Sequence, residues 1–93
     1  MATKTRVWPD APSHPGETLS DELRARELSP RSVAASADVA VEQIEAVLSG
    51  TEPITAEIAW GLEAALGDIS ARFWMSLQSD YDLAVARLRR EPR

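Results

Sequence analysis

Apolar residues recur at intervals of three and four along most of the chain, which is the period of an amphipathic helix. The period breaks at Ser29-Pro30, Gly50 and Gly67, where the residue types are ones that start or stop helices. No segment has the alternation of a strand, so the pattern predicts an all-α bundle of five helices. The predicted helices cover about 15–28, 30–37, 41–48, 56–66 and 71–90.

Residue types at the boundaries agree with this division. Ser29, Thr55 and Ser70 each precede a predicted helix and carry a hydroxyl that can accept from its first turn. Asp38 falls at a tight turn, where Gly is the easiest residue and Asp is tolerated. His14 is interpreted as a helix-start residue, because no nucleophile or carboxylate pair accompanies it.

The N-terminal segment differs from the rest of the chain. Residues 1–13 hold two prolines and no helical period, so we predict a flexible arm followed by one domain over 14–93. The arm carries Lys4, Arg6 and Trp8, which could contact a DNA minor groove or a protein partner, or belong to a disordered segment.

Composition excludes several functions. The 93-residue chain has no cysteine and one histidine, which rules out disulfides, thiolate zinc sites and histidine metal clusters. No catalytic constellation is present, so we expect neither an enzyme nor a cofactor nor a metal. No run approaches the roughly 18 apolar residues of a membrane span, and the N-terminus does not resemble a signal peptide. We therefore expect a cytoplasmic protein with no membrane partner.

Charge is distributed unevenly around a net value of −5. Between residues 17 and 67, three arginines stand against ten carboxylates, whereas the two ends together hold seven cations and five anions. An acidic centre argues against loose affinity for nucleic acid.

Residues 29–50 nevertheless have the spacing of a helix-turn-helix, in which two short helices meet at a steep angle across a tight turn. Small Ala34 and Ala37 allow the helices to approach closely, and Val39 fills the turn. Ile44 and Val47 are placed to anchor the second helix to the core.

The segments that flank this motif are more specific than the motif itself. They are His14-Pro15-Gly16-Glu17, Ile54-Thr55-Ala56, Phe73-Trp74-Met75-Ser76-Leu77-Gln78 and Tyr81-Asp82-Leu83-Ala84-Val85-Ala86-Arg87. Together with residues 29–50 they resemble the HigA antitoxins of the VapI group, within the XRE (Cro/repressor) helix-turn-helix class. The resemblance implies a lambda-repressor-like five-helix fold and a homodimer. It also implies an antitoxin that neutralises a HigB-type ribosome-dependent mRNA endoribonuclease toxin and represses its own operon.

By position, the resemblance further implies that operator DNA contacts the recognition helix and its flanks. The implied DNA-binding residues are Arg31, Ser32, Val41, Glu42, Gln43, Glu45 and Thr51. A glutamine there could contact adenine and a glutamate could accept from cytosine, or this face could simply be solvated.

Several positions depart from the family's pattern. Pro30 replaces a frequent glutamine that holds a phosphate, Asp38 replaces a glycine, and residues 41–43 and 51–53 lack the usual cations. Arg31 is left as the one cation between residues 29 and 53, against four carboxylates. Since cationic contacts to phosphate dominate DNA affinity, we expect operator binding to be weak.

The fifth helix carries more apolar surface than four short helices can cover, which predicts a dimer interface. The predicted interface residues are Trp74, Leu77, Tyr81, Val85 and Leu88. The aromatic residues could instead fill the core or line a ligand pocket. Arg87, Arg89 and Arg90 could contact DNA or toxin, or could only complement the helix dipole.

Three functions follow from these observations. The first is a HigA-like antitoxin and autorepressor. The alternative is a protein-interaction module on a helix-turn-helix scaffold, with DNA binding weakened or lost. A stand-alone phage-type repressor would share the fold and need no toxin.

Overall fold

The computed structural model describes residues 12–91. All regular secondary structure in that range is α-helical, which confirms the predicted fold class. The five helices are α1 (Pro15–Arg26), α2 (Pro30–Ala37), α3 (Val41–Leu48), α4 (Ala56–Leu66) and α5 (Ala71–Arg90). The predicted arm lies outside the described residues except for its last two, and so do Lys4, Arg6 and Trp8. None of the described helices is long and apolar enough to cross a membrane.

The predicted N-caps all form. The hydroxyls of Ser29, Thr55 and Ser70 accept from the amide three residues later, at 3.0 to 3.2 Å. His14 caps α1, because its Nδ1 accepts from the Gly16 amide at 2.9 Å. Each helix start marked by these residues is therefore fixed by a hydrogen bond within its own first turn.

Two helices end on a carboxylate residue in the left-handed conformation. Glu27 after α1 has φ 56°, and Asp38 after α2 has φ 60°. The next amides, of Leu28 and Val39, donate to carbonyls five residues earlier at 2.9 and 3.1 Å, as in a Schellman motif. Because Glu27 reverses the chain there, α1 ends two residues earlier than the prediction based on Pro30 placed it.

One apolar core receives side chains from all five helices. The largest side chains with essentially no exposed surface are Trp74, Leu19, Ile44, Ile54, Leu62, Val33 and Val47. Trp74 is part of the predicted dimer interface, but it is 0% exposed within a single chain. It has no surface left to bury against a partner, and we therefore assign it to the core.

The helix-turn-helix lies between α1 and α4. Helix α2 packs on α3 and α4, while α1 packs on α3 and α5. A Cβ added to Gly61 of α4 would lie 2.7 Å from the Ala37 carbonyl oxygen, and one added to Gly16 of α1 would overlap the Val47 carbonyl oxygen. Both glycines therefore permit backbone contacts that hold α2 and α3 in place.

A polar link joins the end of α1 to the turn between α4 and α5. The Arg26 guanidinium donates to the Asp68 carboxylate at 2.6 Å, to the Leu66 carbonyl at 3.0 Å and to the Glu22 carboxylate at 3.1 Å. The hydrogen bond from Arg26 lowers the pKa of Asp68, although the Asp68 side chain is 70% exposed. This link is separate from the apolar core and from the helix-turn-helix.

Candidate nucleic-acid interface

The inner side of the helix-turn-helix is fixed by packing. Ile44 and Val47 are 0% exposed, and Val39 of the turn is half-buried against the core. The roles predicted for these three residues are confirmed. Because α3 is eight residues long and anchored at two points on one side, its other side is held at a defined orientation.

The outer side presents most of the residues predicted to bind DNA. The exposed residues among them are Arg31, Ser32, Glu42, Gln43, Glu45 and Thr51. Val41 differs, since it is half-buried and packs against the core, which leaves it less surface for a base contact. These DNA contacts stay predictions, and the structure places the residues on α2, on α3 and on the turn after α3.

Gln43 has a role in α3 that the sequence did not indicate. Ala40 precedes α3 and has no side-chain oxygen, and the Gln43 Oε1 accepts from the Ala40 amide at 3.0 Å instead. This bond holds the glutamine side chain at the N-terminal end of α3, where recognition helices contact base edges. An amide oxygen has a second lone pair and its nitrogen has two hydrogens, so base contacts remain available to Gln43.

The turn after α3, residues 49–53, is called here the exit turn. Gly50 has φ 81°, which turns the chain away from the helix. The Thr51 hydroxyl lies 3.1 Å from the Ala46 carbonyl oxygen and 3.0 Å from the Ser49 hydroxyl. Thr51 and its neighbours Glu52 and Pro53 are exposed, so the exit turn offers its side chains to solvent.

The electrostatics of this surface are unusual for a DNA-binding protein. The four carboxylates of residues 29–53, those of Asp38, Glu42, Glu45 and Glu52, are all exposed. The ion pairs found among residues 12–91 involve Arg24 and Arg26 instead, so these carboxylates are not neutralised by them. Four negative charges beside Arg31 repel phosphate rather than attract it.

Gln78 of α5 contacts the residue that follows the exit turn, and the sequence analysis assigned it no role. Gln78 of α5 is 5% exposed, and its Oε1 accepts from the Ile54 amide at 2.7 Å. The available signal was a polar residue one turn after Trp74 on an otherwise apolar face. His14, interpreted correctly as a helix-start residue, also contacts the Tyr81 ring edge-on with centroids 4.9 Å apart.

No family model matches the chain, but solved structures do. An addiction module antidote protein of a HigA family from Coxiella burnetii is 34% identical, with a TM-score of 0.75 over 82% of this chain and 83% of that one. Pseudomonas aeruginosa antitoxin HigA, solved with the higBA promoter, is 39% identical, with a TM-score of 0.74 over 81% and 82% of the two chains.

A curated protein also matches. Virulence-associated protein A' of Dichelobacter nodosus is 30% identical over 73 residues, or 78% of this chain. The match spans 64% of that protein, so about a third of its length has no counterpart in the aligned region.

Proposed function

Since the chain belongs to the HigA family of antitoxins, of the VapI type within the XRE helix-turn-helix class, we propose that it binds an operator and represses its own operon. One observation carries the proposal. The outer side of α2 and α3 is exposed on a rigidly packed helix-turn-helix, in a chain 39% identical to an antitoxin solved with promoter DNA.

In the proposed complex, α3 enters the major groove with its N-terminal end toward the bases. Gln43 contacts an adenine edge, while Arg31 and Ser32 at the start of α2 contact the backbone. Glu42 and Glu45 have acceptors only, so the base atoms that suit them are cytosine amino groups. The exposed Thr51 of the exit turn adds a polar contact to phosphate.

The acidic outer side makes this binding dependent on sequence-specific contacts. Each phosphate contact by a cation releases counterions and supplies most nonspecific affinity, and the face offers few such contacts. Conversion of Glu42 and Glu52 to Lys should therefore raise affinity for random-sequence DNA and steepen its dependence on salt.

Gel shifts of wild type and the double variant across a salt series measure both effects. The control variant must add the same charge away from the helix-turn-helix without removing a structural hydrogen bond. Glu63 does not qualify, because it accepts from the Ala71 amide at 2.7 Å. Glu57→Lys paired with Asp21→Lys gives the same change in net charge at exposed sites in α4 and α1, and the Asp21 change removes only a solvent-exposed ion pair with Arg24, which contributes little to stability. Tight binding of random DNA by wild type, with no gain in the double variant, would show that DNA meets another surface.

We also propose a homodimer through α5. Leu77, Tyr81, Val85 and Leu88 are half-buried in the single chain, and Leu83 is 68% exposed. Apolar side chains in this number along one helix are typical of a subunit interface. Sedimentation equilibrium should give a dimer at micromolar concentration, and a monomer there would refute this part of the proposal.

The proposed toxin partner is a HigB-type ribosome-dependent mRNA endoribonuclease. What supports it is family membership and charge, because an acidic surface suits an enzyme that itself binds RNA. A small basic reading frame beside this gene would encode the candidate. Its product should form a complex with this chain and lose ribonuclease activity in it.

A second candidate function is favoured by the four exposed carboxylates. It is a toxin-neutralising module on the same scaffold that does not bind DNA. Gel shifts with the DNA upstream of the gene at two salt concentrations distinguish the two functions, since only the repressor retards that DNA at low salt.

A further inference from the structure

Gln78 ties the end of the exit turn to α5. Its side chain is 5% exposed, and its Oε1 accepts from the Ile54 amide at 2.7 Å. Ile54 directly follows the exit turn and is 2% exposed, so the bond lies in the interior. A buried amide donor without a partner is costly, so the position of Ile54 follows that of Gln78.

Asp82 fixes which way the Gln78 amide faces. The Gln78 Nε2 donates to the Asp82 Oδ1 at 2.9 Å. An ionised carboxylate only accepts, so it holds the amide nitrogen on its own side and leaves the oxygen for the Ile54 amide. With the amide reversed, two donors would face each other at Ile54, and the bond would be lost.

The other end of the exit turn lies beside His14, which itself contacts α5. The His14 ring contacts the Tyr81 ring of α5 at 4.9 Å, and a Cβ built on Gly50 would lie 3.8 Å from the His14 Cγ. The turn thus begins beside His14 and ends at the Gln78 bond. Between these two points, Thr51 and Glu52 are exposed.

From this geometry we propose that Gln78 is a positioning residue for DNA binding, which sets the exit turn against the DNA backbone through Ile54. The proposal rests on the proposed operator binding and deepens it. The effect is specific to the exit turn, because α3 has its own anchors in Ile44 and Val47. It makes α5, the proposed dimer helix, part of the DNA-binding apparatus.

The first test compares charge reversals at two places on the outer side, each made in the wild-type protein and in the Q78M variant. E42K lies in the first turn of α3, and E52K lies in the exit turn. Each should raise affinity for a short duplex of random sequence in the wild-type background. In the Q78M background, an E52K gain of about tenfold should shrink to about twofold or less, whereas the E42K gain persists.

This difference is what separates positioning from a general loss of structure. Met is similar in length to Gln but has no strong acceptor for the Ile54 amide, so Q78M removes the bond and keeps most of the volume. A variant that only lowers the folded population would reduce the gains of E42K and E52K alike.

A second pair of variants tests the same bond from the exposed residue Asp82, and it carries the test if Q78M does not fold. D82N keeps an oxygen that can accept from the Gln78 Nε2, and D82A does not. Hydrogen exchange of the Ile54 amide should become about tenfold faster in D82A and stay unchanged in D82N. Exchange of the core Leu62 amide should not change in either.

Three outcomes would overturn the positioning role while leaving operator binding intact. They are an E52K gain that survives in Q78M or, if that variant does not fold, in D82A; an equal reduction of the E42K and E52K gains; and an E52K variant with no gain in the wild-type background. Failure of the proposed function has a different signature, because the wild-type protein would then not retard its upstream DNA in the first place.

Discussion

The two sides of α3 are subject to different physical constraints. On the inner side, Ile44 and Val47 are fully buried, and their shapes must fit the space that α1 and α2 leave. On the outer side, Glu42, Gln43 and Glu45 are exposed and nothing in the fold depends on their volume. An eight-residue helix thus specifies the fold on one side and leaves the other free to vary in charge.

The largest expected effect comes from a substitution at Gly16 of α1, which lies against the inner side of α3. A methyl group there overlaps the Val47 carbonyl oxygen, and a backbone atom cannot rotate away. Gly16→Ala should lower stability by about 3 kcal/mol or more, at the upper end of overpacking. A Tm lower by roughly 12 °C or more in thermal unfolding would correspond to that loss.

Gly67→Ala is the matched control for this prediction. No atom lies within 4 Å of the added methyl group, but φ is 85°, so only backbone strain results. That strain costs about 1–2 kcal/mol. Equal losses at the two glycines would mean that α1 and α3 do not meet as closely as Gly16 indicates.

A substitution at Gln43, on the outer side of α3, should affect DNA binding more than folding. Gln43→Ala should weaken binding to the operator by about 1–3 kcal/mol, which is the contribution of one good base contact. Loss of the bond to the Ala40 amide should lower stability by only about 0.5–1 kcal/mol. Fluorescence anisotropy with operator DNA and thermal unfolding measure the two effects.

Ser79→Ala, at an exposed position of α5, serves as the control for Gln43. It should leave operator affinity unchanged and raise stability by at most about 0.5 kcal/mol, because alanine has the higher helix propensity. If Gln43→Ala binds operator as tightly as wild type does, the glutamine is only a helix cap, and base contacts come from other residues.

The turn between α2 and α3 offers a smaller effect of opposite sign. Asp38 has φ 60°, a conformation that Gly adopts without steric strain. Asp38→Gly should change stability by about +0.5 to +1 kcal/mol, because relief of strain exceeds the added entropy of the unfolded chain. Chemical denaturation of wild type, Asp38→Gly and Asp38→Ala gives the comparison, in which the alanine variant should be the least stable.

The smallest effect concerns the Arg26–Asp68 link, which lies on neither side of α3. Its hydrogen bond lowers the pKa of Asp68 in the folded protein, so its contribution is present at neutral pH. That contribution is lost as the pH falls below about 3.9, the ordinary aspartate value, and through the lowered folded value. Asp68→Asn should therefore lower Tm slightly at neutral pH, and the difference should close in acid. A difference that widens in acid would contradict this assignment.

The fold was largely predictable from the sequence because its signals are local. The bounds of α3 and α5 agree with the periodicity, and the caps at Thr55 and Ser70 form as expected. The end of α1 was not predictable, since a left-handed glutamate has no signature in residue type. The DNA-contacting residues inferred from family position remain a prediction.

Long-range partners account for the rest. Gln78 acts on a residue 24 positions earlier, and no local pattern shows which amide it meets. Trp74 and Leu77 lie on the same apolar stripe, and the periodicity could not tell which of them the single chain would bury. Only the packed structure separates the buried Trp74 from the half-exposed residues that follow it.

The exposed carboxylates of the outer side also affect how molecules of such a protein distribute between nonspecific DNA and the unbound pool. A chromosome offers roughly 10⁶–10⁹ nonspecific sites that compete with an operator. Glu42, Glu45 and Glu52 lower the affinity for all of these nonspecific sites. A smaller fraction of the molecules is therefore bound to bulk DNA. A repressor with this surface binds DNA less tightly. When few molecules are present, however, more of them stay unbound and available to the operator and to a protein partner.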